Sequence, residues 1–437
     1  MIKTERQNDI LNQSFIISTF ILSAFPIMTF GMRSVFMIIW TFLGVLNCVK
    51  NRDTADNKTM SIYLLIAISP FVYLTFSLFY TLDLDSGIKR LIQMLPLLIC
   101  PLVFYLNKEK FNQRLILTIA WVFSISVIVF VFYQIFYSLL SLDYLLDEVS
   151  GKELRLNNLQ DKVSLSQDVL TKLKTRRFRN FILELTQSHF TYQGIWIVFS
   201  IFFLGYNFLK FSHKLKYLIL PVIFLLLVWL FFISARMPLI TLFLSTITVL
   251  LISRIKGKVI IMVSSIALLI LIASYFAFSP LKVRVNEVFN SKIELPTSGD
   301  DIENYNSMSV RYGIYYCSFN IITNNLLLGV GVGDSQNELN SCYTDKIGAK
   351  IYTWTDYNTH NQYLYFLLAT GVVGFILYLL LIYTNFKKAF TSGNILYLFF
   401  ILIISFISLT ENIFLRSDGV MFFSLFSGLF LFNLRKP

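Results

Sequence analysis

Long apolar runs recur along almost the whole chain, and they constrain its fold more than any other feature. About twelve of them are long enough to cross, or nearly cross, a lipid bilayer. We therefore predict an all-α polytopic membrane protein with about twelve transmembrane helices. The apolar runs are residues 14–30, 35–48, 61–80, 91–105, 115–140, 194–209, 218–233, 238–253, 259–278, 363–383, 395–409 and 419–434.

The composition agrees with an integral membrane protein. Of the 437 residues, 56% are hydrophobic and only 14% are charged, whereas about a quarter of the residues of a soluble domain are charged. The first apolar run is not followed by a convincing cleavage site. We expect it to be a retained transmembrane helix and not a signal peptide.

Basic residues predict how the chain is oriented in the membrane. They precede the first apolar run and recur in every second loop, although Arg33, Lys89 and Arg90 fall in the alternate loops. Because such residues stay on the cytoplasmic side, both termini are expected in the cytoplasm. The net charge of +12 is then mostly a topology signal and requires no nucleic-acid partner. The residues that follow the pattern are Lys3, Arg6, Lys50, Arg52, Lys58, Lys108, Lys110, Arg114, Lys210, Lys214, Lys216, Arg254, Lys256, Lys258, Lys387, Lys388, Arg435 and Lys436.

Two loops are much longer than the others and divide the chain into five parts. We predict N-terminal transmembrane helices in residues 1–140, a first long loop in 141–193, central transmembrane helices in 194–278, a second long loop in 279–361 and C-terminal transmembrane helices in 362–437. The alternation of sides places both loops outside the cytoplasm. Chemistry there has no ATP or nucleotide sugar to use, and we predict no cofactor.

The four cysteines differ in their surroundings. Cys48 and Cys100 lie in predicted transmembrane helices and are interpreted as small apolar packing residues. Cys317 and Cys342 lie in the second long loop, where a disulfide between them is a hypothesis that spacing alone cannot decide. No group of cysteines and histidines has the spacing of metal ligands, so no metal is predicted.

The first long loop ends in the basic stretch TKLKTRRFRN, which SHFTYQG joins to the next apolar run. The basic stretch fits either a solvated face near anionic headgroups or a docking surface for a phosphorylated lipid or sugar acceptor. His189 and Tyr192 could line a site at the membrane entrance. Ordinary interfacial aromatic residues at a capped helix start fit the same two positions at least as well.

Two arginines are candidates for binding an anion. Arg236 lies in the short turn SARMP between two apolar runs, where a charge is costly unless it meets an anion, lines a watery cavity or reaches lipid phosphates. Arg311 lies in the first turn of a predicted amphipathic helix, with Ser309 as the expected N-cap. The GVGVG that follows this helix predicts a tight turn and not a nucleotide site, because no βαβ unit or GK[ST] accompanies it.

His360 is one of three histidines and stands directly before an apolar run. Thr359 and Gln362 predict a capping box, which would make His360 the first helical residue at the membrane surface. At about 100° per residue, Gly371 returns to nearly the same helix face and Gly374 lies close by. That smooth face would admit a helix or a lipid chain. The helix dipole and nearby arginines disfavour a protonated imidazole, which suits a general base.

The surroundings of His360 resemble the signature of the bacterial O-antigen ligases, which are grouped with the O-antigen polymerases. That signature is His, then Asn, Ser or Gln, then nine residues, then Gly-x-x-Gly or a near relative. His360, Asn361, Gly371 and Gly374 fit it without adjustment.

Other elements resemble the same family. Arg311, its helix and the glycine turn look like the family's arginine, helix and turn, while Arg236 in SARMP matches its Ser-Arg element loosely. The tail TENIFLRSDGVMFF resembles the family's last outer turn, which would bring Glu411 and Arg416 to the same side. The detailed resemblance covers roughly residue 235 to the C-terminus.

This resemblance implies a GT-C-type glycosyltransferase of the bacterial inner membrane, with its active site facing the periplasm. The donor would be a glycan on a polyprenyl pyrophosphate, and the acceptor a sugar hydroxyl on lipid A–core or another glycolipid. His360 would be the general base, and Arg236 and Arg311 would bind the pyrophosphate in place of a metal. One direct displacement would invert the anomeric centre. Supporting roles are expected for Asn361, His189, Tyr192, Glu411 and Arg416.

Two other functions are compatible with the sequence. A polymerase of the same superfamily would add repeat units to a carrier-linked chain, and its product, a ladder of lengths, distinguishes it from a ligase. A transporter or lipid-linked glycan flippase would also have many spans with both ends inside. Such carriers often show related halves and charges near the bilayer midplane, whereas the candidate residues here cluster at one predicted outer face.

Overall fold

The computed structural model describes residues 2–50, 58–150, 167–233, 235–253, 294–297 and 307–433. All regular secondary structure in these ranges is helical, which confirms the predicted all-α class. We number the α-helices in chain order. They are α1 (Ile2–Ser23), α2 (Phe30–Lys50), α3 (Lys58–Phe76), α4 (Leu84–Met94), α5 (Pro96–Leu106), α6 (Gln113–Leu140), α7 (Leu142–Leu146), α8 (Gln167–Thr186), α9 (Phe190–Lys210), α10 (Ile219–Phe232), α11 (Arg236–Ile252), α12 (Ser307–Asn324), α13 (Ser335–Cys342), α14 (Gln362–Thr391), α15 (Ile395–Ile407) and α16 (Ser417–Asn433).

Seven helical segments of the described ranges are long and apolar enough to cross a membrane, and the shorter helices α11, α15 and α16 are also apolar. By length and composition, the chain is a multi-pass membrane protein. The predicted number of twelve spans stays a prediction, and the span predicted at residues 259–278 lies outside the described residues. The seven segments are Phe30–Lys50, Ser61–Phe79, Leu84–Leu106, Gln113–Leu140, Phe190–Lys210, Lys214–Phe232 and Gln362–Thr391.

Two predicted spans differ in extent from the helices. α1 ends at Ser23, and a 3-10 turn at Phe25–Ile27 replaces the end of the run predicted at residues 14–30. The run predicted at 91–105 is shared between α4 and α5. Pro96 begins the second of these helices, because proline has no N–H to donate and suits the first turn of a helix.

α16 lies in the centre of the bundle and is buried along its whole length. A helix that is apolar all round has to pack against other helices on every side. Its Phe422 and Phe426 rings lie 5.5 and 5.0 Å from the Phe123 ring of α6, and Phe426 lies 4.8 Å from Phe199 of α9. This packing fixes residues 408–416, the segment that leads into α16.

A buried ion pair fixes the first turn of α16. Arg33 of α2 pairs with Asp418, and the Arg33 Nε also donates to the carbonyl oxygen of Phe25 at 3.0 Å. The other carboxylate oxygen of Asp418 accepts from Ser188 Oγ at 2.8 Å. Because both charged side chains are buried, each needs the other as its counter-charge. The pair ties α2, the loop before α9 and α16 together at one end of the bundle.

α14 is interrupted at Gly371, whose φ of 62° and ψ of −165° are not helical. The interruption frees backbone groups to bond to the chain that follows α12. Val330 N donates to Leu368 O at 2.9 Å, and Val372 N donates to Leu326 O at 2.8 Å. Backbone N–H and C=O groups of α14 that lose their partners within the helix at this point form hydrogen bonds to another part of the protein.

This break contradicts the predicted smooth face that joins His360, Gly371 and Gly374. His360 lies before the first residue of α14, and Gly371 has non-helical backbone angles. A rotation of about 100° per residue therefore does not relate the two positions. Gly371 touches the backbone of residues 327–328, and Gly374 lies against Tyr73 of α3. Both glycines serve close packing inside the protein.

The turn predicted at GVGVG is present, and we call residues 329–333 the glycine turn. Gly329 and Gly331 have positive φ, 69° and 95°, which favours glycine. The next residue, Asp334, accepts hydrogen bonds from Leu82 N at 2.7 Å and Asp83 N at 2.8 Å. The glycine turn is thus held between the break in α14 and the loop that joins α3 to α4.

The second long loop contains α12 and α13 in its described part. Ser309 lies inside α12 and is buried, so the prediction of Ser309 as the N-cap of this helix is wrong. The hypothesised disulfide is present, and Cys317 of α12 is joined to Cys342 of α13 with their Cα atoms 5.8 Å apart. It holds the helix that carries Arg311 against α13.

We expect Gly371→Ala to destabilise the protein much more than Gly393→Ala. Both glycines have φ of 62°, so alanine should cost about 1–2 kcal/mol at either position. Only at Gly371 would the new Cβ collide with the carbonyl of Leu327, since nothing lies within 4 Å of a Cβ at Gly393. Thermal unfolding in detergent would measure the difference. Equal shifts in Tm would contradict a structural role for the break.

Candidate active site

Two segments of the chain meet at one end of the bundle and frame the candidate site. Residues 358–362 lead into α14, and residues 408–416 join α15 to α16. Gln362 N donates to Ser408 O at 2.8 Å, and Phe414 N donates to the side-chain oxygen of Gln362 at 2.8 Å. These bonds fix the two segments relative to each other.

Asn412 is the main link between these segments, and sequence reasoning missed it. Its Oδ1 accepts from Asn361 N at 2.8 Å, and its Nδ2 donates to Thr359 Oγ1 at 2.9 Å and to Asn358 Oδ1 at 3.1 Å. The side chain is buried. Its one signal in the sequence was its place next to Glu411.

Asn361 is the N-cap of α14. Its Oδ1 accepts from Tyr363 N at 2.9 Å, and the helix begins at Gln362. The predicted capping box of Thr359 and Gln362 is therefore wrong, and His360 is not a helical residue. The physical reason is that Asn361 is itself a strong N-cap residue, while the side chains of Thr359 and Gln362 bond to the neighbouring segment.

His360 adopts a left-handed backbone conformation with φ of 44°. Its N donates to Asn358 Oδ1 at 2.9 Å, which stabilises that conformation. Among the described residues, Gln187 is the other non-glycine residue with positive φ, at 54°, and it lies just before His189. A conformation of this kind costs about 1–3 kcal/mol and occurs preferentially at functional sites.

Glu411 brings two of the predicted site residues together. Its Oε2 lies 3.6 Å from His360 Nδ1, and its Oε1 lies 3.7 Å from Arg311 Nη2. The Glu411 side chain is 14% exposed, and those of His360 and Arg311 are both 29% exposed. The imidazole and the guanidinium therefore flank one shielded carboxylate, and both can still be reached from outside.

The carboxyl of Glu411 keeps its negative charge in this setting. Burial raises its pKa, but His360, His189 and Arg311 outweigh burial and hold the pKa below its usual value of 4.5. Because the pKa is lowered on folding, the carboxylate contributes stability at neutral pH. That contribution is lost as the pH falls through the lowered pKa.

His189 lies at the same end of the bundle, directly before α9. Burial lowers its pKa below the usual 6.5; Glu411 opposes this, and Arg179, Arg416 and His360 add to it. The imidazole of His189 is therefore uncharged at neutral pH. His189 lies close enough to Glu411 and His360 for their charges to act on it, and its role in a site stays a prediction.

Tyr192 supports the framework from inside α9. It is buried, and its hydroxyl donates to Asn412 O at 3.0 Å. Its ring lies beside Gly419 at the start of α16. Tyr192 therefore positions the segment that carries Glu411, and its hydroxyl is occupied by the backbone.

Arg236 and Arg416 are placed by different elements. Arg236 is the first residue of α11, and Pro238 packs against Gly194 of α9, which puts Arg236 near the end of α9 that His189 precedes. The side chain of Arg236 is partly exposed. Arg416 is exposed and lies close enough to His189 for its charge to act there.

The predicted basic stretch of the first long loop forms part of α8. Arg177 is buried and donates to the carbonyl oxygens of Tyr144 and Asp147, each at 2.9 Å, so it holds that loop together. Arg179 lies over the ring of Phe190, 4.5 Å from its centroid. Within the stretch, the charge of Arg179 acts on His189, and the charge of Arg176 acts on Tyr357 directly before residues 358–362.

No three or more His, Cys, Asp or Glu side chains lie together as metal ligands within the described ranges. The expectation of a metal-free reaction stays a prediction.

Fold and site together define a class: a multi-pass membrane protein whose titratable and cationic side chains gather at one end of a helix bundle. Residues 221–379 match the family model described as O-antigen ligase. The match covers about a third of the chain and supports the predicted resemblance to the O-antigen ligase superfamily. The matched segment contains Arg236, Arg311 and His360, while Glu411 lies beyond it. No curated protein was found to match the chain.

Proposed function

We propose that this protein is a GT-C-type glycosyltransferase that moves a glycan from a polyprenyl-pyrophosphate donor to a sugar hydroxyl of lipid A–core. It would lie in the bacterial inner membrane, with both termini in the cytoplasm and the His360 end of the bundle in the periplasm. The observation that carries this proposal is the position of Glu411 between His360 and Arg311. A candidate base and a candidate phosphate-binding group share one carboxylate.

The donor is activated before it reaches the site, because its leaving group is already a pyrophosphate. Arg311 can form paired hydrogen bonds to phosphate oxygens and stabilise the charge that develops as the glycosidic bond breaks. Arg236, at the start of α11, is proposed as the second group of this kind. Arg179 and Arg416 add positive charge near His189 and Glu411, which favours an anionic ligand.

His360 is proposed as the general base, with Glu411 as its positioning residue. A carboxylate near Nδ1 favours the tautomer that carries its proton there, which leaves the Nε2 lone pair free. The 3.6 Å separation is longer than a hydrogen bond, and such contacts often tighten when substrate binds.

The proposed reaction is a single displacement. The acceptor oxygen forms a bond to the anomeric carbon of the donor, and the bond from that carbon to the pyrophosphate oxygen breaks. The pyrophosphate leaves with the bonding electrons, and the acceptor proton goes to Nε2 of His360. Attack opposite the leaving group inverts the anomeric centre.

Transfer by the purified, reconstituted protein tests this function. Proteoliposomes would receive a polyprenyl-pyrophosphate glycan, with and without lipid A–core, in the presence of a metal chelator. We expect product on lipid A–core only when that acceptor is present. A ladder of longer carrier-linked chains would instead identify a polymerase with the same site, and movement of the donor across the bilayer without product would identify a flippase.

Glu411→Gln should lower kcat by about 10²-fold or more, because the neutral amide no longer selects one imidazole tautomer. The donor KM should change less, since Arg311 remains. Initial rates in proteoliposomes would measure both constants. Glu338→Gln is the matched control, because Glu338 is exposed on α13 in the same long loop. If both variants kept the wild-type kcat, Glu411 would have only a structural role.

A further inference from the structure

Six large apolar side chains, three along α12 and three just after it, are exposed. Their exposed fractions run from 42% at Tyr316 to 70% at Leu327. Exposed apolar surface of this extent marks a place where something other than water is in contact. We call this set the apolar edge; it consists of Tyr312, Tyr316, Phe319, Leu326, Leu327 and Leu328.

The other faces of α12 are already occupied. Ile314, Cys317 and Ile321 are buried in a small core shared with α13. Arg311 faces Glu411, and Tyr315, one turn further along, also lies within range of the charges of Arg311 and Glu411. The apolar edge is therefore an additional face of the helix, separate from the face that forms the core and from the face that forms the site.

The apolar edge continues the exposed surface of a membrane-spanning segment. Tyr80, which follows Ser61–Phe79, donates its hydroxyl to Leu328 O at 2.6 Å. Beside this bond, Phe79 is 85% exposed and Leu82 is 91% exposed. Since lipid covers the outward side chains of a membrane-spanning helix, the same lipid reaches the neighbouring edge.

The depth of the break in α14 gives a second, independent indication. We take the basic Lys387, near the far end of α14, as one boundary of the hydrocarbon core, because basic residues stay on the cytoplasmic side. A helix needs about twenty residues to cross that core. Twenty residues before Lys387 is Leu367, which would therefore lie near the opposite boundary. Gly371 then lies about 6 Å inside the opposite boundary. Leu326 accepts a hydrogen bond from Val372, and the carbonyl of Leu327 lies against Gly371. Both leucines therefore lie at a similar depth to Gly371.

We propose that the apolar edge is immersed in the acyl chains of the leaflet on the His360 side of the membrane. The loop predicted at residues 279–361 would then be partly a membrane-embedded element and not wholly aqueous. The residues of the edge fit this environment, since two tyrosines and a phenylalanine suit the interface and three leucines suit the hydrocarbon.

One consequence rests on the proposed function. On α12, the stripe of Arg311 and Tyr315 lies about a quarter turn from the stripe of Tyr312 and Phe319. A lipid whose tail lies in the leaflet beside the apolar edge would carry its anionic head toward Arg311 from the side. The donor would thus enter laterally from the membrane.

Spin labels at single cysteines would test the immersion. Phe319→Cys and Leu327→Cys, made in a Cys48→Ala background and reconstituted in phosphatidylethanolamine–phosphatidylglycerol liposomes, would carry the label. The native disulfide and buried Cys100 would stay unlabelled. Glu338→Cys, exposed on α13, is the aqueous control. Power saturation would compare collisions with lipid-soluble oxygen and with a water-soluble nickel chelate.

We expect labels at residues 319 and 327 to collide several times more with oxygen than with the nickel chelate, and the label at 338 to show the reverse. Preferential nickel access at 319 and 327 would overturn the proposal, because the edge would then lie in water. Low access of both reagents to the labels at 319 and 327 would also overturn the proposal, because protein and not lipid would then cover the edge. The readout needs no catalysis, so its failure is distinct from failure of the proposed transfer.

Discussion

His360→Ala is expected to lower the rate of glycan transfer by about 10²–10⁴-fold, the usual contribution of a positioned general base. Donor binding should persist, because Arg311 and Glu411 remain in place. His213→Ala is the matched control. His213 is a histidine at the opposite end of α9, where its Nδ1 accepts from Leu215 N at 3.2 Å and caps a short helical turn. Initial transfer rates in proteoliposomes would compare the two variants.

A second variant separates loss of the imidazole from loss of the backbone conformation. His360→Gly should be as inactive as His360→Ala but more stable, because glycine accepts the φ of 44° found at this position. Transfer at the wild-type rate by either variant would rule out His360 as the base.

Arg311→Ala is expected to lower kcat/KM by about 10²–10³-fold, the usual effect of removing a group that stabilises developing negative charge. Arg311→Lys should recover only part of this loss, since an ammonium cannot form the paired hydrogen bonds of a guanidinium. Lys350→Ala removes an exposed cation from the same long loop and should have little effect. Steady-state kinetics with varied donor would measure all three variants.

Cells offer a complementary readout for the arginines. Arg311→Ala and Arg236→Ala should each accumulate unused lipid-linked glycan and display less glycan on the surface. Normal surface glycan in both variants would contradict a pyrophosphate-binding role for these residues.

The sequence predicted the helical class and the neighbourhood of His360 because those signals are local. Apolar runs identify membrane helices by themselves, and the short spacing from His360 to Gly371 falls within one segment. The N-cap was misplaced by two residues because Thr359, Asn361 and Gln362 all suit a helix start. The bonds to Asn412 and Phe414, more than fifty positions away, decide among them.

The break at Gly371 could not be predicted from periodicity. Glycine is frequent in membrane helices, so its presence gives no reason to end one. The break exists because Leu326 and Val330 supply partners for the opened backbone. Those partners come from a loop whose position depends on the whole fold. For the same reason the sequence predicted a continuous helix face between His360 and Gly374.

Glu411 shows what the resemblance to the family could predict about the site and what it could not. The tail motif predicted that Glu411 and Arg416 lie on the same side of the membrane as His360. It did not predict which of these residues lies at the centre of the site. The contacts assign Glu411 to the centre, between His360 and Arg311, and leave Arg416 exposed at the margin. Side-chain contacts between segments this far apart in the chain require the folded structure.

Photo-crosslinking of the donor would test the central claim most directly, namely that the cluster around Glu411 is where the donor reacts. A polyprenyl-pyrophosphate glycan with a diazirine next to the pyrophosphate would be irradiated with the reconstituted protein, and labelled peptides would be mapped by mass spectrometry. We predict adducts in α12 or in residues 408–416, strongly reduced by Arg311→Ala. Adducts confined to the opposite end of the bundle, such as Lys214–Leu218, would contradict the proposed site.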